Sequence, residues 1–262
     1  MRKICVINQK GGVGKTTTSL NLAAGLSRFD RKVLLIDLDP QSNMELAMNL
    51  ENSLTVYEFL FEDVLVSECV NKMGKDFDLV KGDKKLLRAN NLEGAVEKIV
   101  SRLRTIKGYD YVIFDCAPSM NILNNAVMLF CKEAIISTST DYFGLESLNK
   151  TIIFLREFAD FHEHDIMLSK IVPTLFDKRN KICNDILESI NNEYYRYVSA
   201  PIRMNSKLKE APMNKKSIFS YAPKSSGAQD YLALVQAVIA DEPNKDADLC
   251  EVSPVIVSEE EK

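Results

Sequence analysis

The chain has no tryptophan and only two histidines, His162 and His164, among its 262 residues. Its six cysteines, at positions 5, 69, 116, 131, 183 and 250, form no C-x-x-C pair and keep no regular spacing. Spacing of the zinc, haem or iron–sulfur kind is therefore missing. The cysteines read as small buried hydrophobes of a reduced, cytosolic protein, and the histidines as polar surface. No run approaches the roughly eighteen apolar residues of a membrane span, and the acidic C-terminal stretch is no basic amphipathic helix, so no membrane is expected as partner. No apolar leader precedes the first strand-like run. Glycine is also sparse, ten residues in all, yet three of them stand within four positions, at Gly11, Gly12 and Gly14.

That cluster belongs to Lys10-Gly11-Gly12-Val13-Gly14-Lys15-Thr16-Thr17. An apolar run, Ile4 to Ile7, precedes it, and a helical pattern at Leu20, Leu22, Ala23 and Leu26 follows. Strand, glycine-rich turn and helix start come in the order a phosphate-binding loop requires. Without a Cβ, glycines let successive N–H groups turn inward around an anion, and the helix N-terminus adds partial positive charge there. Lys15 is placed to reach the β- and γ-phosphates, and the Thr16 hydroxyl to meet Mg²⁺. The ordinary pattern wants glycine five residues before Gly14. Gln9 stands there, and a second lysine, Lys10, enters the turn.

Strand-like and helix-like stretches alternate along the chain. Strands are expected at 32–37, 77–80, 109–115, 134–137, 166–172 and 198–202; helices at 93–106, 121–130, 145–158, 182–190 and 229–240. The alternation predicts an α/β fold, doubly wound, with a mostly parallel sheet between helices on both faces, three layers in all. One domain, 1–240, is expected to precede an acidic tail, 241–262, which holds eight acids and two bases and reads as disordered. The net charge of −4 hides a slightly basic body, +2 over residues 1–240.

A phosphate loop needs carboxylates at neighbouring strand ends to hold Mg²⁺ and water. Asp37 and Asp39 end one strand-like run and Asp115 another, and carboxyl ends of parallel strands share the edge of the loop. The region 200–224 adds Arg203, Lys207, Lys209, Lys215, Lys216 and Lys224 against a single acid, Glu210. With few aromatics there, this charge suits either a solvated lysine-rich loop or, bound without sequence preference, a duplex backbone.

The loop resembles the deviant Walker A box of the ParA/MinD ATPases. Asp37-Leu38-Asp39-Pro40-Gln41 resembles the family's Walker A′, and Asp115-Cys116-Ala117-Pro118-Ser119 its Walker B, with Leu123, Asn125 and Ala126 matching the stretch beyond. Asp141 to Glu146 resembles its E-Y-Y-A-L-E, and Ala222 to Ala228 its D-P-K-S-S-G-A. Ile202 to Pro212 resembles I-P-R-N-V-R-L-S-E-A-P, with Arg203, Met204, Lys207 and Lys209 departing from it. The likeness covers roughly residues 1–240 and is nearest the small ParA proteins called Soj. It implies a P-loop NTPase-like ATPase that takes ATP and Mg²⁺ and forms a homodimer on ATP. Lys15 then binds phosphate in its own subunit, with Gly11, Gly12, Val13, Gly14 and Thr17 around it. Thr16, Asp37 and Asp115 serve the metal, Asp39 orients the attacking water, and Lys10 acts on the partner subunit's nucleotide. Charge supplied in trans can be worth about 10³–10⁵ in rate. Thr174, Asn205 and Pro212 are the residues expected near the base. The resemblance also implies non-specific double-stranded DNA and a ParB-like centromere-binding protein as partners, and a cytoplasmic, nucleoid-associated location. Alternatives left open are a ParA relative carrying a protein cargo, a MinD-like division-site regulator, an iron–sulfur ATPase and a nucleotide binder without hydrolysis.

Overall fold

Runs rich in Val, Ile and Leu become the strands of the computed structural model, which describes residues 1–119 and 121–243. In chain order the elements are β1 (Arg2–Ile7), α1 (Lys15–Leu26), β2 (Val33–Asp37), α2 (Asn43–Ala47), α3 (Val56–Phe61), α4 (Val66–Cys69), β3 (Asn71–Lys72) and β4 (Phe77–Val80). They continue with α5 (Ala95–Leu103), β5 (Tyr111–Asp115), α6 (Ile122–Phe130), β6 (Glu133–Ser139), α7 (Tyr142–His162) and β7 (Met167–Thr174). The last four are α8 (Lys181–Tyr194), α9 (Ser206–Met213), α10 (Ile218–Tyr221) and α11 (Ser226–Ala240). Single 3₁₀ segments follow α1 and precede α5.

The strands form one sheet in the order β3-β4-β2-β5-β1-β6-β7. Pairing is parallel throughout except between β3 and β4. Period-two alternation splits each strand between two cores, so Ile4 and Val6 face one side and Cys5 and Ile7 the other. Helices α1, α10 and α11 cover the first side, and α3, α5, α6 and α7 the second. Both faces are buried, as parallel sheets require. The three-layer doubly wound expectation therefore holds. The strand order reverses around β1, and the crevice above such a reversal is where this architecture places ligands.

One expected strand is absent. Residues 198–202 make only an isolated bridge, Val198 to Ile171. Pro173 and Pro201 both lack an N–H, so the ladder of Ile171 N to Tyr197 O and Ser199 N to Ile171 O cannot run on unbroken and resumes at Ile202 N to Pro173 O. The folded body also extends past residue 240. Asp241 pairs with Lys170, and Glu242 pairs with Arg31 at 2.8 Å and accepts from the Tyr111 hydroxyl. Arg2, bound to Glu133 and Tyr111, completes this cluster at the N-terminal edge of the sheet. The expected acidic tail lies outside the described residues from 244 onward.

Candidate functional site

The turn between β1 and α1 needs its glycines. Gly12 and Gly14 have φ of 74° and 83°, backbone that a side chain would strain. Gly14 is the N-cap of α1, so no side chain caps that helix, and no acid stands in its first turn. The free N–H groups and positive helix end at that point make an anion site.

Two buried residues brace this loop from behind. The Thr174 hydroxyl lies 2.8 Å from Val13 O and 3.1 Å from Thr138 O, tying the loop to β6. Thr174, expected from sequence near the base, is 3% exposed and braces the phosphate turn from behind. Asn8 donates to Ser137 O and accepts from Lys10 N at 2.9 Å and from Ser147 Oγ. Sequence reasoning missed Asn8, because a lone Asn after a strand carries no pattern of its own.

The two lysines of the loop have opposite surroundings. Lys15 is buried, and its ammonium donates to Lys10 O at 2.9 Å. Burial lowers its pKa, against the pull of Asp115, Cys116 and Asp39. A buried ammonium held by one carbonyl is short of partners, and an anion in the loop would supply them. Lys10 instead sits at the rim, its side chain 30% exposed and its ammonium 2.8 Å from Asp141 Oδ1 and 3.0 Å from Ser139 Oγ.

Register brings the acids together: Asp37 pairs with Asp115 across β2 and β5, next to β1. Asp115 Oδ1 accepts from Ser19 on α1 at 3.0 Å, while its buried Oδ2 has no hydrogen-bond partner among the described residues. Burial raises the pKa of both, the effect on Asp37 reinforced by the charge of Asp115 and that on Asp115 opposed by Thr16, Ser19 and Lys15. A cation beside them would remove that cost. Asp37 is otherwise engaged by Asp39 N at 2.9 Å and Met44 N at 3.4 Å, and acts as a brace for the Walker A′ turn. Asp39 accepts from Gln41 N and Asn43 Nδ2. Among the described residues no three His, Cys, Asp or Glu side chains form a cage for a metal. A Mg²⁺ ion at Thr16 and Asp115 would take most of its shell from phosphate and water, as Mg²⁺ commonly does.

Of the six basic residues at 200–224, three are committed elsewhere. Arg203 makes a bidentate pair with Asp230, Lys207 pairs with Glu210, and Lys215 donates to Leu46 O at 2.7 Å. Lys209, Lys216 and Lys224 are exposed and make no ion pair among the described residues. Carboxylates thus offset Arg203 and Lys207, whereas Lys215, exposed and anchored by a carbonyl, keeps its charge uncompensated among the described residues. Asn205 caps α9 and donates to Ser226 Oγ. Pro212 lines a cavity of about 30 Å³ with Thr16, Thr17, Asn21, Ala47 and Lys216, beside the phosphate turn.

A family model described as an AAA domain matches residues 1–168. The sporulation initiation inhibitor protein Soj of Bacillus subtilis is 32% identical over 90% of this chain and 98% of its own. The chromosome partitioning protein ParA of Myxococcus xanthus is 31% identical over 89% of this chain and 86% of its own. The chain belongs to the Soj/ParA family of partition ATPases. Among solved structures, cobyrinic acid a,c-diamide synthase from Mycobacterium smegmatis, with bound ADP and magnesium, superposes with a TM-score of 0.76 at 25% identity, covering 91% of this chain and 94% of that one. MinD from Pyrococcus horikoshii, complexed with Mg-ADP, matches at 0.73 and 20% identity over 92% and 96%, a likeness of fold.

Proposed function

We propose that this Soj/ParA-family protein binds ATP with Mg²⁺, dimerises around two nucleotides, holds duplex DNA without sequence preference and leaves it after hydrolysis. The observation that carries the reading is the division of labour between the lysines. Lys15 is buried under the phosphate turn, suited to a phosphate of its own subunit. Lys10 stands at the rim, where its ammonium cannot serve the same buried position but can meet a nucleotide presented from outside. Asp39, at the C-terminal edge of β2, is the residue to orient the attacking water. Thr16 and Asp115 are the residues to hold Mg²⁺, which supplies charge neutralisation to the phosphates when bound. The family relation supports a partition role, with a ParB-like protein as the stimulating partner. Lys209, Lys216 and Lys224 form the DNA-facing set.

Turnover measured alone, with random duplex DNA, and with DNA plus a ParB-like protein tests the reading. Joint stimulation is expected, together with a dimer in a slowly cleaved ATP analogue. A protein that stays monomeric at saturating analogue would overturn it.

A further inference from the structure

The contact that holds Lys10 is built from elements far apart in sequence. Asp141 is the N-cap of α7 and accepts from Gly144 N at 2.8 Å through the same Oδ1 that receives the Lys10 ammonium. Ser139, the last residue of β6, accepts from Lys10 at 3.0 Å. Asn8 fixes the backbone of Lys10 and reaches Ser147 on α7, so both ends of the contact hang from one helix. Burial pushes the Asp141 carboxyl up, but hydrogen bonds from Lys10, Ser139 and Gly144 hold it below the usual range. Phe143 flanks the ammonium, its ring centroid 5.9 Å away.

The close approach of α7 is specific to these residues. A Cβ on Gly144 would lie 1.9 Å from Ser139 O, so only glycine lets the first turn of α7 sit this tightly on the end of β6. The family pattern E-Y-Y-A-L-E has glutamate and alanine where this chain has Asp141 and Gly144.

We propose that Asp141, with Ser139, is a positioning latch that parks Lys10 on its own subunit and must release it before the lysine can enter a partner's site. The inference rests on the ATP-sandwich reading for its consequence, but the contact itself exists in the single subunit. The pair competes with dimerisation, since Lys10 cannot hold Asp141 and a second nucleotide at once. Both side chains are partly exposed, 30% and 48%, so the latch is worth about two- to fivefold in an equilibrium.

Asp141→Asn keeps an oxygen for the Gly144 N–H and removes the charge. Two measurements apply to the full chain. In nucleotide-free protein, the rate of Lys10 acylation, read by mass spectrometry, rises about two- to fivefold in the variant. In sedimentation, the concentration of slowly cleaved ATP analogue at the dimerisation midpoint falls by about the same factor, while nucleotide affinity of the monomer is unchanged. On a Lys10→Ala background the same substitution moves the midpoint no further. An unchanged acylation rate, or an equal midpoint shift on the Lys10→Ala background, overturns the latch. If acylation rises while neither protein dimerises, the latch stands and the ATP-sandwich reading falls.

Discussion

Replacing Thr174 with valine removes one hydroxyl and almost no volume. That hydroxyl sits 2.8 Å from Val13 O and 3.1 Å from Thr138 O, in a residue 3% exposed. Leaving a buried carbonyl without its donor costs about 1–3 kcal/mol. For a domain of this size each kcal/mol moves Tm by ~2–4 °C, so Thr174→Val is expected to melt about 2–12 °C lower. The loss has a second consequence. The valine can still pack near Gly14, whose side the Thr174 methyl approaches within 3.5 Å of an added Cβ, but it no longer fixes the loop carbonyl. Part of the ordering of the phosphate turn then falls on the nucleotide, and affinity drops by about three- to tenfold, the equivalent of roughly 0.6–1.4 kcal/mol. Thermal melts with and without nucleotide, beside titration with a fluorescent ATP analogue, measure both. Thr174→Ser keeps the hydroxyl and should recover most of the affinity. Wild-type affinity in Thr174→Val, or a serine variant as weak as the valine one, would refute the bracing role.

Other outcomes follow from the same geometry. Lys15→Ala is expected to lose nucleotide binding in filter or fluorescence assays, whereas Lys10→Ala keeps binding and loses hydrolysis; parental turnover in the latter rules out action in trans. Joint substitution of Lys209, Lys216 and Lys224 by alanine should weaken DNA binding for all sequences and flatten its logarithmic salt dependence by up to about 3, near 0.9 for each phosphate no longer neutralised. Arg203→Ala should act mainly on stability, because its partner Asp230 is 8% exposed and left unpaired. The hydrogen bond from Arg31 holds Glu242 down to about 2, against an ordinary 4.5. The unfolded chain therefore binds the extra proton first. The stabilisation is present above pH 4.5 and fades as pH falls toward 2. Glu242→Gln should flatten the acid limb of the stability curve, and an unchanged limb counts against the pair.

Much of this edge was legible because its signals are local. The phosphate turn, the strand ends at Asp37 and Asp115, and the alternation of elements are each written in a few neighbouring residues. The same locality explains what was hidden. Helices α2, α3 and α4 span six residues or fewer, too short for a 3.6-residue period to be seen. Strand β3 has two residues and exists only through its pairing with β4. The partner of Lys10 lies 131 positions away, and the braces Asn8 and Thr174 act through carbonyls that any residue could present. Charge counting over 200–224 found the cations but not their partners. Asp230 and the Leu46 carbonyl neutralise or occupy two of them from outside that stretch.

The cluster of Arg2, Arg31, Tyr111 and Glu242 lies where the strands begin, whereas the glycine turn lies where they end. A fluorophore or surface tether joined after residue 243 would hang from the opposite rim of the molecule. Its point of attachment is then as far from the glycine turn as the length of the strands allows.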